Sequence, residues 1–137
     1  MKEYWKERKV GGPSIEMGVV FAFGRCFEDF KFSSVGFYHK YPDARAYSRI
    51  FNRNILIEFE YKSSNFIRHK HDIDKVDLII CWRHDAYALV KPVLELRSGR
   101  GFIFDGQSTI RVVDWRNDDP KEIKRIILDG RLPSDDI

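Results

Sequence analysis

Two β-rich segments constrain the fold of this chain more than any other feature. Residues 55–62 alternate between apolar and polar side chains from residue 57 onward and are rich in β-branched and aromatic residues. Residues 76–82 are apolar on both faces, which is typical of a strand that is covered on both sides. We therefore expect two central strands that lie side by side in one sheet. If the residues between them cross the sheet, the connection is a right-handed crossover and the pair is parallel.

The rest of the chain predicts further strands beside this pair and helices around it. Strands are expected at residues 34–38 and 44–50, near 93–96, and as a hairpin near 102–115. Ser14 is predicted to cap a helix whose apolar residues recur at spacings of three and four: Val19, Phe23, Cys26 or Phe27, and Phe30. A later helix is predicted to begin with the cap Asp119 and Pro120 and to end before Gly130. The predicted fold class is α/β or α+β, with a mixed central β-sheet flanked by helices.

The length of the chain and its termini predict one domain with two short extensions. A chain of 137 residues matches a single hydrophobic core, which we assign to residues 14–132. Residues 1–13 are predicted to form a basic N-terminal arm, because they are rich in Lys and Arg and end in Gly11-Gly12-Pro13. Such an arm is either a frayed terminus or a strip that contacts phosphate groups. Residues 133–137 are predicted to be a flexible tail.

Charge, hydropathy and cysteine content narrow the class of protein. The net charge of +3 permits a polyanionic partner without requiring one. No apolar run approaches the roughly 18 residues that cross a bilayer, and the first residues lack the apolar centre of a signal peptide. We therefore expect a soluble cytoplasmic protein with no membrane partner. Cys26 and Cys81 lack the spacing of a zinc or redox motif and are predicted to be buried thiols.

The acidic residues of the first central strand are the unusual feature of the sequence. Glu58, Glu60 and Lys62 alternate with apolar residues, so that their side chains share one face of the strand. Two carboxylates this close on a central strand repel each other and resist desolvation unless a cation or open water compensates them. A ligand site is the simplest compensation. The alternative is an exposed polar face on which Glu60 pairs with Lys62.

A Pro-Asp corner precedes the strand that carries these acids. The order Pro42-Asp43, then acid-x-acid-x-lysine on an apolar strand, resembles the PD-(D/E)XK nuclease superfamily, whose restriction-endonuclease-like core is a mixed sheet flanked by helices. This resemblance implies that Asp43 and Glu58 are metal ligands and that Glu60 occupies the position usually held by lysine. In the alternative alignment, Glu60 is the acid and Lys62 is the lysine.

Five elements in order extend the resemblance over about residues 14–97. A small group of prokaryotic and viral members of the superfamily is similar to this chain in a Glu-x-Gly-Val-Val helix, the Pro-Asp corner, an Ile-Glu-Phe-Glu strand, a His-x-His-Asp motif and an Asp-Leu-Ile-x-Cys-Trp strand. Here these elements are found in the segments 16–20, 41–43, 57–66, 69–72 and 77–82. The resemblance implies metal-dependent cleavage of DNA by a homodimer in which each subunit addresses one strand.

The proposed chemistry accounts for the residue types. Hydrolysis of a phosphodiester needs a hard divalent cation, and carboxylate oxygens suit Mg²⁺ or Mn²⁺. A neighbouring basic group such as Lys62 can orient the attacking water, and Glu16 can complete the metal shell through a water. Two alternatives remain open: a binding module of the same fold that does not cut, and a metal phosphodiesterase that acts on small substrates.

The His-x-His-Asp motif and its surroundings allow several roles. In an extended segment His69 and His71 face the same way, so they can serve as general acid or base or as phosphate contacts at the site, with Asp72 beside them. They can instead orient other groups or pack in a turn, or form an independent metal site. Ser63 is expected to cap a short helix whose first amides face phosphate, and Arg68 belongs to a basic surround of the acids.

Overall fold

The computed structural model describes residues 2–129, which form a mixed α/β structure around one seven-stranded sheet. The strands follow one another across the sheet in chain order. Their bounds are Phe32–Phe37 (β1), Ala44–Ser48 (β2), Arg53–Lys62 (β3), Leu78–Arg83 (β4), Val93–Glu95 (β5), Arg100–Phe104 (β6) and Ile110–Asp114 (β7). The helices are Lys2–Glu7 (α1), Glu16–Cys26 (α2), Ser64–Arg68 (α3) and Pro120–Asp129 (α4), with short 3-10 segments at Phe27–Phe30 and Ile73–Lys75.

The central strands of the sheet confirm the prediction made from their hydrophobic pattern. β3 and β4 are parallel neighbours, with Glu58 opposite Ile79 and Glu60 opposite Cys81. The chain between them contains α3 and one 3-10 segment, which supplies the length that a parallel connection requires. β4 also pairs in parallel with β5, whereas the outer strands on both sides pair antiparallel. The strands lie where the sequence predicts them, with small shifts at their ends.

The two faces of β3 belong to different surroundings. Ile57 and Phe59 contribute to the main core, where Phe23 of α2 lies 5.5 Å from Phe59 between ring centroids. Glu58 and Glu60 point to the opposite face because side chains alternate along a strand. A smaller apolar cluster on that face contains Phe66 of α3 together with residues of β4 and β5. The acids therefore lie on the same face of the sheet as the smaller cluster, opposite its residues Ile79 and Cys81.

The prediction of a basic N-terminal arm is wrong for the residues that the structure describes. Tyr4 and Trp5 of α1 and Val10 after it are buried in the main core. The Trp5 indole N–H donates to the carbonyl of Arg97 at 3.2 Å, and the Tyr4 hydroxyl donates to Asp29 at 2.8 Å. The prediction rested on the positive charges of this segment. Its two adjacent aromatic residues, however, are more stable when they are buried than when they are exposed to water.

The ends of the longer helices partly match the prediction. α2 begins at Glu16, after Ile15, and no side chain caps its first turn, so Ser14 is not the cap. Its predicted buried side is confirmed, since Val19, Phe23 and Cys26 are buried. Asp119 caps α4 as predicted, because its carboxylate accepts the Lys121 N–H at 2.9 Å.

Two of the predictions concern the C-terminal residues of the chain. Gly130 and the predicted tail, residues 133–137, lie outside the described residues.

Within residues 2–129, none of the helices combines the length and the apolar character that crossing a membrane requires. Cys26 and Cys81 are both buried and free, as predicted.

Candidate metal centre

The Pro-Asp corner places Asp43 where the pairing of β2 with β3 stops. The ladder between these strands ends at Ala44 opposite Ile57, whereas β3 continues to Lys62. Beyond this point the Asp43 carboxylate takes the place of a strand carbonyl as hydrogen-bond acceptor, since its Oδ2 accepts the Phe59 N–H at 2.8 Å. This hydrogen bond from the backbone of β3 thus holds the side chain of Asp43 against the strand.

Glu58 meets Asp43 from the neighbouring strand. Its Oε1 accepts the Asp43 N–H at 3.1 Å, and its Oε2 lies 3.0 Å from Nε2 of His71. Burial and, after it, the adjacent negative charge of Asp43 together raise the pKa of Glu58 to about 9. The two carboxyl groups that the resemblance assigns to the metal therefore lie together.

Glu60 is the most deeply buried acid of the group, with 1% of its surface exposed. Its Oε2 lies 3.2 Å from Nδ1 of His69, whereas its Oε1 is buried with no hydrogen-bond partner. Burial raises the pKa of Glu60 to about 8, and the side chain of Glu16 at the start of α2 adds to this rise. Glu16 itself is exposed, so solvent hydrates its carboxylate, whereas Glu60 lies buried beside it.

The segment after α3 brings both histidines of the His-x-His-Asp motif over these acids. Lys70, which lies between them, has a left-handed φ of 55°, and the two imidazole rings lie 5.6 Å apart at 72°. The His71 ring stacks on Tyr41, with 4.4 Å between the ring centroids and 6° between the planes. Tyr41 is itself anchored, since its hydroxyl donates to the carbonyl of Asp72 at 2.5 Å.

One set of side chains in the described part of the chain has donor atoms that converge as metal ligands do. A carboxylate oxygen of Glu60 and one nitrogen each of His69 and His71 all lie within 4.8 Å of one another. Asp43 and Glu58 adjoin this set through the hydrogen bonds described above, and Glu16 adjoins it through Glu60. The acids predicted to gather around a cation are therefore neighbours in space.

Lys62 and Glu60, whose roles differ between the two alignments, have different neighbours in the structure. Lys62 is exposed at the end of β3, and its positive charge contributes to lowering the pKa of Asp85. The cation that acts on Glu60 is Arg68, whose charge opposes the rise in the pKa of that acid. Glu60 thus occupies the position beside Asp43 and Glu58, and Lys62 faces another part of the surface.

Ser63 and Asp72 have structural contacts, which argues against their predicted contact with substrate. Ser63 is fully buried, and its hydroxyl accepts the N–H groups of Asp85 and Ala86, each at 3.0 Å. The carboxylate of Asp85 accepts the Ser64 N–H at 2.9 Å, so this amide at the start of α3 is already occupied and does not face phosphate. Asp72 caps the following 3-10 segment by accepting the Asp74 N–H at 3.0 Å.

Sequence reasoning missed two residues that shape this site. Tyr41 orients His71 by stacking, and Asp85 caps α3 from the end of β4. The position of Tyr41 before Pro42-Asp43 was visible as part of the corner, but its stacking partner lies 30 residues later in the chain. No local pattern marks Asp85, because its function depends on the parallel pairing of β3 with β4.

We expect Glu60→Gln to stabilise the metal-free chain in a pH-dependent manner. The pKa of Glu60 is raised from 4.5 to about 8 in the folded state, so folding loses stability as the pH rises through this window. Below pH 4.5 the acid is protonated in both states. The glutamine amide carries no charge and donates toward Glu16, which favours the folded variant by on the order of 2 kcal/mol at pH 8.

Urea unfolding at a series of pH values in a chelating buffer measures this difference. The matched control is Glu3→Gln, which neutralises an exposed glutamate of α1. A gain in stability for Glu60→Gln that is equally large at pH 4 and pH 8 would contradict the prediction.

Comparison with known proteins identifies no relative of this chain. No family model, no curated protein and no solved structure matches it. The function must therefore be argued from the site itself.

Proposed function

We propose that this protein is a metal-dependent endonuclease that hydrolyses phosphodiester bonds of DNA. The proposal includes the restriction-endonuclease-like arrangement of the mixed sheet that the resemblance to PD-(D/E)XK nucleases implies. It assigns Asp43 and Glu58 to Mg²⁺ or Mn²⁺, with Glu16 completing the shell through a water.

The observation that carries the proposal is the gathering of four acids around β3, two of which, Glu58 and Glu60, are buried. Asp43 and Glu58 contact each other, and Glu60 is buried beside Glu16. Burial of two neighbouring carboxyl groups on one face of a strand costs free energy, and ionisable groups in such surroundings are concentrated at functional sites. Carboxylate oxygens at this density are the ligands that a hard divalent cation requires.

The roles of the individual side chains follow from their contacts. A bound divalent cation supplies charge stabilisation for the phosphoryl oxygens and lowers the pKa of a water. The Asp43 carboxylate is held by the Phe59 N–H, which fixes the direction of its oxygens. His71 lies between Glu58 and Tyr41, where its imidazole can take a proton from the attacking water or give one to the leaving oxygen. Glu60 orients the water in the place that lysine holds in most of the superfamily.

The surface around the acids suits a polyanion. Arg45 is exposed on β2 and lies opposite Leu56, hence on the same sheet face as Glu58. Arg68 and Lys70 are exposed on the segment that carries the histidines. Positive side chains on both sides of an acidic site attract phosphates while leaving the cation position free. Cleavage of both DNA strands then needs two such sites, which favours a homodimer.

Metal-dependent nicking of supercoiled plasmid by the purified chain tests the proposal. We expect Mg²⁺ or Mn²⁺ to convert plasmid to the nicked form, and we expect an excess of chelator to stop the reaction. Restoring the free metal ion should restore the nicking rate. A parallel assay on branched DNA and on small phosphodiesters identifies the substrate class by agarose gel and by product release.

Two results would replace this proposal. Salt-sensitive DNA binding that needs no divalent metal and persists in Asp43→Ala and Glu58→Ala, without any cleavage, would assign a binding module. Turnover of small phosphodiesters without DNA cleavage would assign a small-substrate hydrolase. Either result contradicts the endonuclease.

A further inference from the structure

Glu60, His69 and His71 differ from the other side chains of the site in offering both nitrogen and oxygen donors. One donor atom from each residue lies within 4.8 Å of the other two. The Glu60 side chain is 1% exposed, whereas the side chains of His69 and His71 are 47% and 26% exposed. The carboxyl group of this set is therefore buried, whereas solvent reaches its imidazole groups. An ion can thus enter the set without unfolding of the chain.

The unsatisfied oxygen of Glu60 points to a missing cation. Its Oε1 is buried and accepts no hydrogen bond within the described residues, although Oε2 of the same carboxylate contacts His69. A buried acceptor without a donor costs about 1–3 kcal/mol, and more if it is charged. Neutral packing partners would remove this cost, yet a second acid, Glu16, also interacts with the Glu60 carboxyl group. A cation satisfies both carboxyl groups at once.

The imidazole rings are held in place by their surroundings. His71 is fixed on one face by the parallel Tyr41 ring and at its edge by Glu58 Oε2, 3.0 Å from Nε2. A carboxylate at one ring nitrogen is the usual partner that orients a metal-ligating histidine. His69 is directed by its contact with Glu60, and the left-handed φ of Lys70 turns the chain between the two rings. Such a left-handed residue ends α3, where the Lys70 N–H donates to the carbonyl of Ile67 at 3.1 Å.

We propose that Glu60, His69 and His71 form a binding site for a transition-metal dication of the series from Mn²⁺ to Zn²⁺. Two imidazoles and one carboxylate are ligands that this series accepts, whereas Mg²⁺ prefers oxygen and keeps most of its waters. The site lies beside the Asp43 and Glu58 oxygens but uses different donor atoms. It concerns ion binding alone and holds whether or not the chain cleaves DNA.

Titration of the metal-free chain with Co²⁺, followed by visible absorption and calorimetry, tests the site. We expect one Co²⁺ per chain with an absorption spectrum typical of nitrogen coordination. A large excess of Mg²⁺ should leave the spectrum unchanged, and Zn²⁺ should displace Co²⁺ more readily than Mn²⁺ does. Displacement by Mg²⁺ would overturn the proposal, because it would show that oxygen ligands alone hold the ion.

Substitutions that keep the shape of each side chain separate ligation from folding. Glu60→Gln, His69→Gln and His71→Phe should each weaken Co²⁺ binding by more than about 10-fold, the lower limit for losing even a supporting group around a metal. The phenylalanine preserves stacking on Tyr41, and far-ultraviolet circular dichroism checks the fold of each variant. The control His39→Gln removes an exposed histidine outside the set and should bind Co²⁺ as the wild type does.

The variants also distinguish this site from the proposed nuclease site. Asp43→Asn should abolish Mg²⁺-supported nicking and retain the nitrogen-type Co²⁺ spectrum. Unchanged Co²⁺ binding in His69→Gln and His71→Phe would overturn the transition-metal site and leave the nuclease proposal intact. If the wild-type protein gave the expected Co²⁺ spectrum but did not nick DNA, the nuclease proposal would be overturned and the transition-metal site would stand.

Discussion

Glu58→Gln is expected to reduce metal-supported plasmid nicking by at least about 100-fold while the fold persists. Loss of one preorganised electrostatic group from an active site typically lowers the rate by about 100- to 1000-fold. Glutamine keeps the oxygen that accepts the Asp43 N–H at 3.1 Å, but it removes the negative charge that would hold a cation beside Asp43. Since burial already raises the pKa of Glu58 to about 9, an uncharged side chain is tolerated in this place.

The nicking rate under single-turnover conditions, with saturating Mn²⁺, measures the effect of Glu58→Gln. Glu3→Gln is the matched control, because it removes an exposed glutamate from α1 and leaves the acids of β3 intact. Urea unfolding of both variants shows that any loss of rate is not a loss of structure. Cleavage by Glu58→Gln at the wild-type rate would remove Glu58 from the proposed machinery.

Trp5→Ala is expected to lower the free energy of unfolding by about 3–5 kcal/mol, the range for truncating a large buried aromatic residue. The Trp5 ring is 5% exposed and lies 5.2 Å from Trp82 between ring centroids. Its indole N–H also donates to the carbonyl of Arg97, which joins α1 to the chain after β5. Truncation leaves a cavity in the main core and one unpaired carbonyl.

Equilibrium unfolding in urea measures this loss, and Lys6→Ala on the same helix provides the control. Lys6 is exposed, so its truncation should change the stability by less than about 0.5 kcal/mol. A basic arm that only contacts phosphate groups would give the opposite pattern: Trp5→Ala would leave stability unchanged, and Lys6→Ala would weaken DNA binding.

The sequence predicted most of the sheet because the signals for strands are local. Alternation from residue 57 onward and the apolar run around β4 are properties of neighbouring residues, and both segments are central strands. Their parallel pairing was expected on the condition that the residues between them cross the sheet, and the structure shows a parallel pair. Local spacing likewise identified the buried side of α2, because residues three and four apart share one face of a helix.

The juxtaposition of the acids was predicted only in part. The alternation of β3 put Glu58 and Glu60 on one face, and the Pro-Asp corner suggested that Asp43 adjoins them. Glu16 belongs to the first of the five elements of the resemblance. It is the first residue of α2, and the fold places it beside Glu60. The structure also gives Lys62 and Glu60 different neighbours, because Lys62 is exposed at the end of β3, where its charge acts on Asp85.

Local periodicity and turn chemistry in the sequence thus determined the central strands, the buried side of α2 and the common face of Glu58 and Glu60. Only the tertiary structure decided that Trp5 is a core residue, that Ser63 is buried, and that His69 and His71 converge on Glu60. The physical reason is that these outcomes depend on contacts between distant parts of the chain. The Trp5 hydrogen bond spans 92 residues, and no pattern of neighbours encodes a partner at that distance.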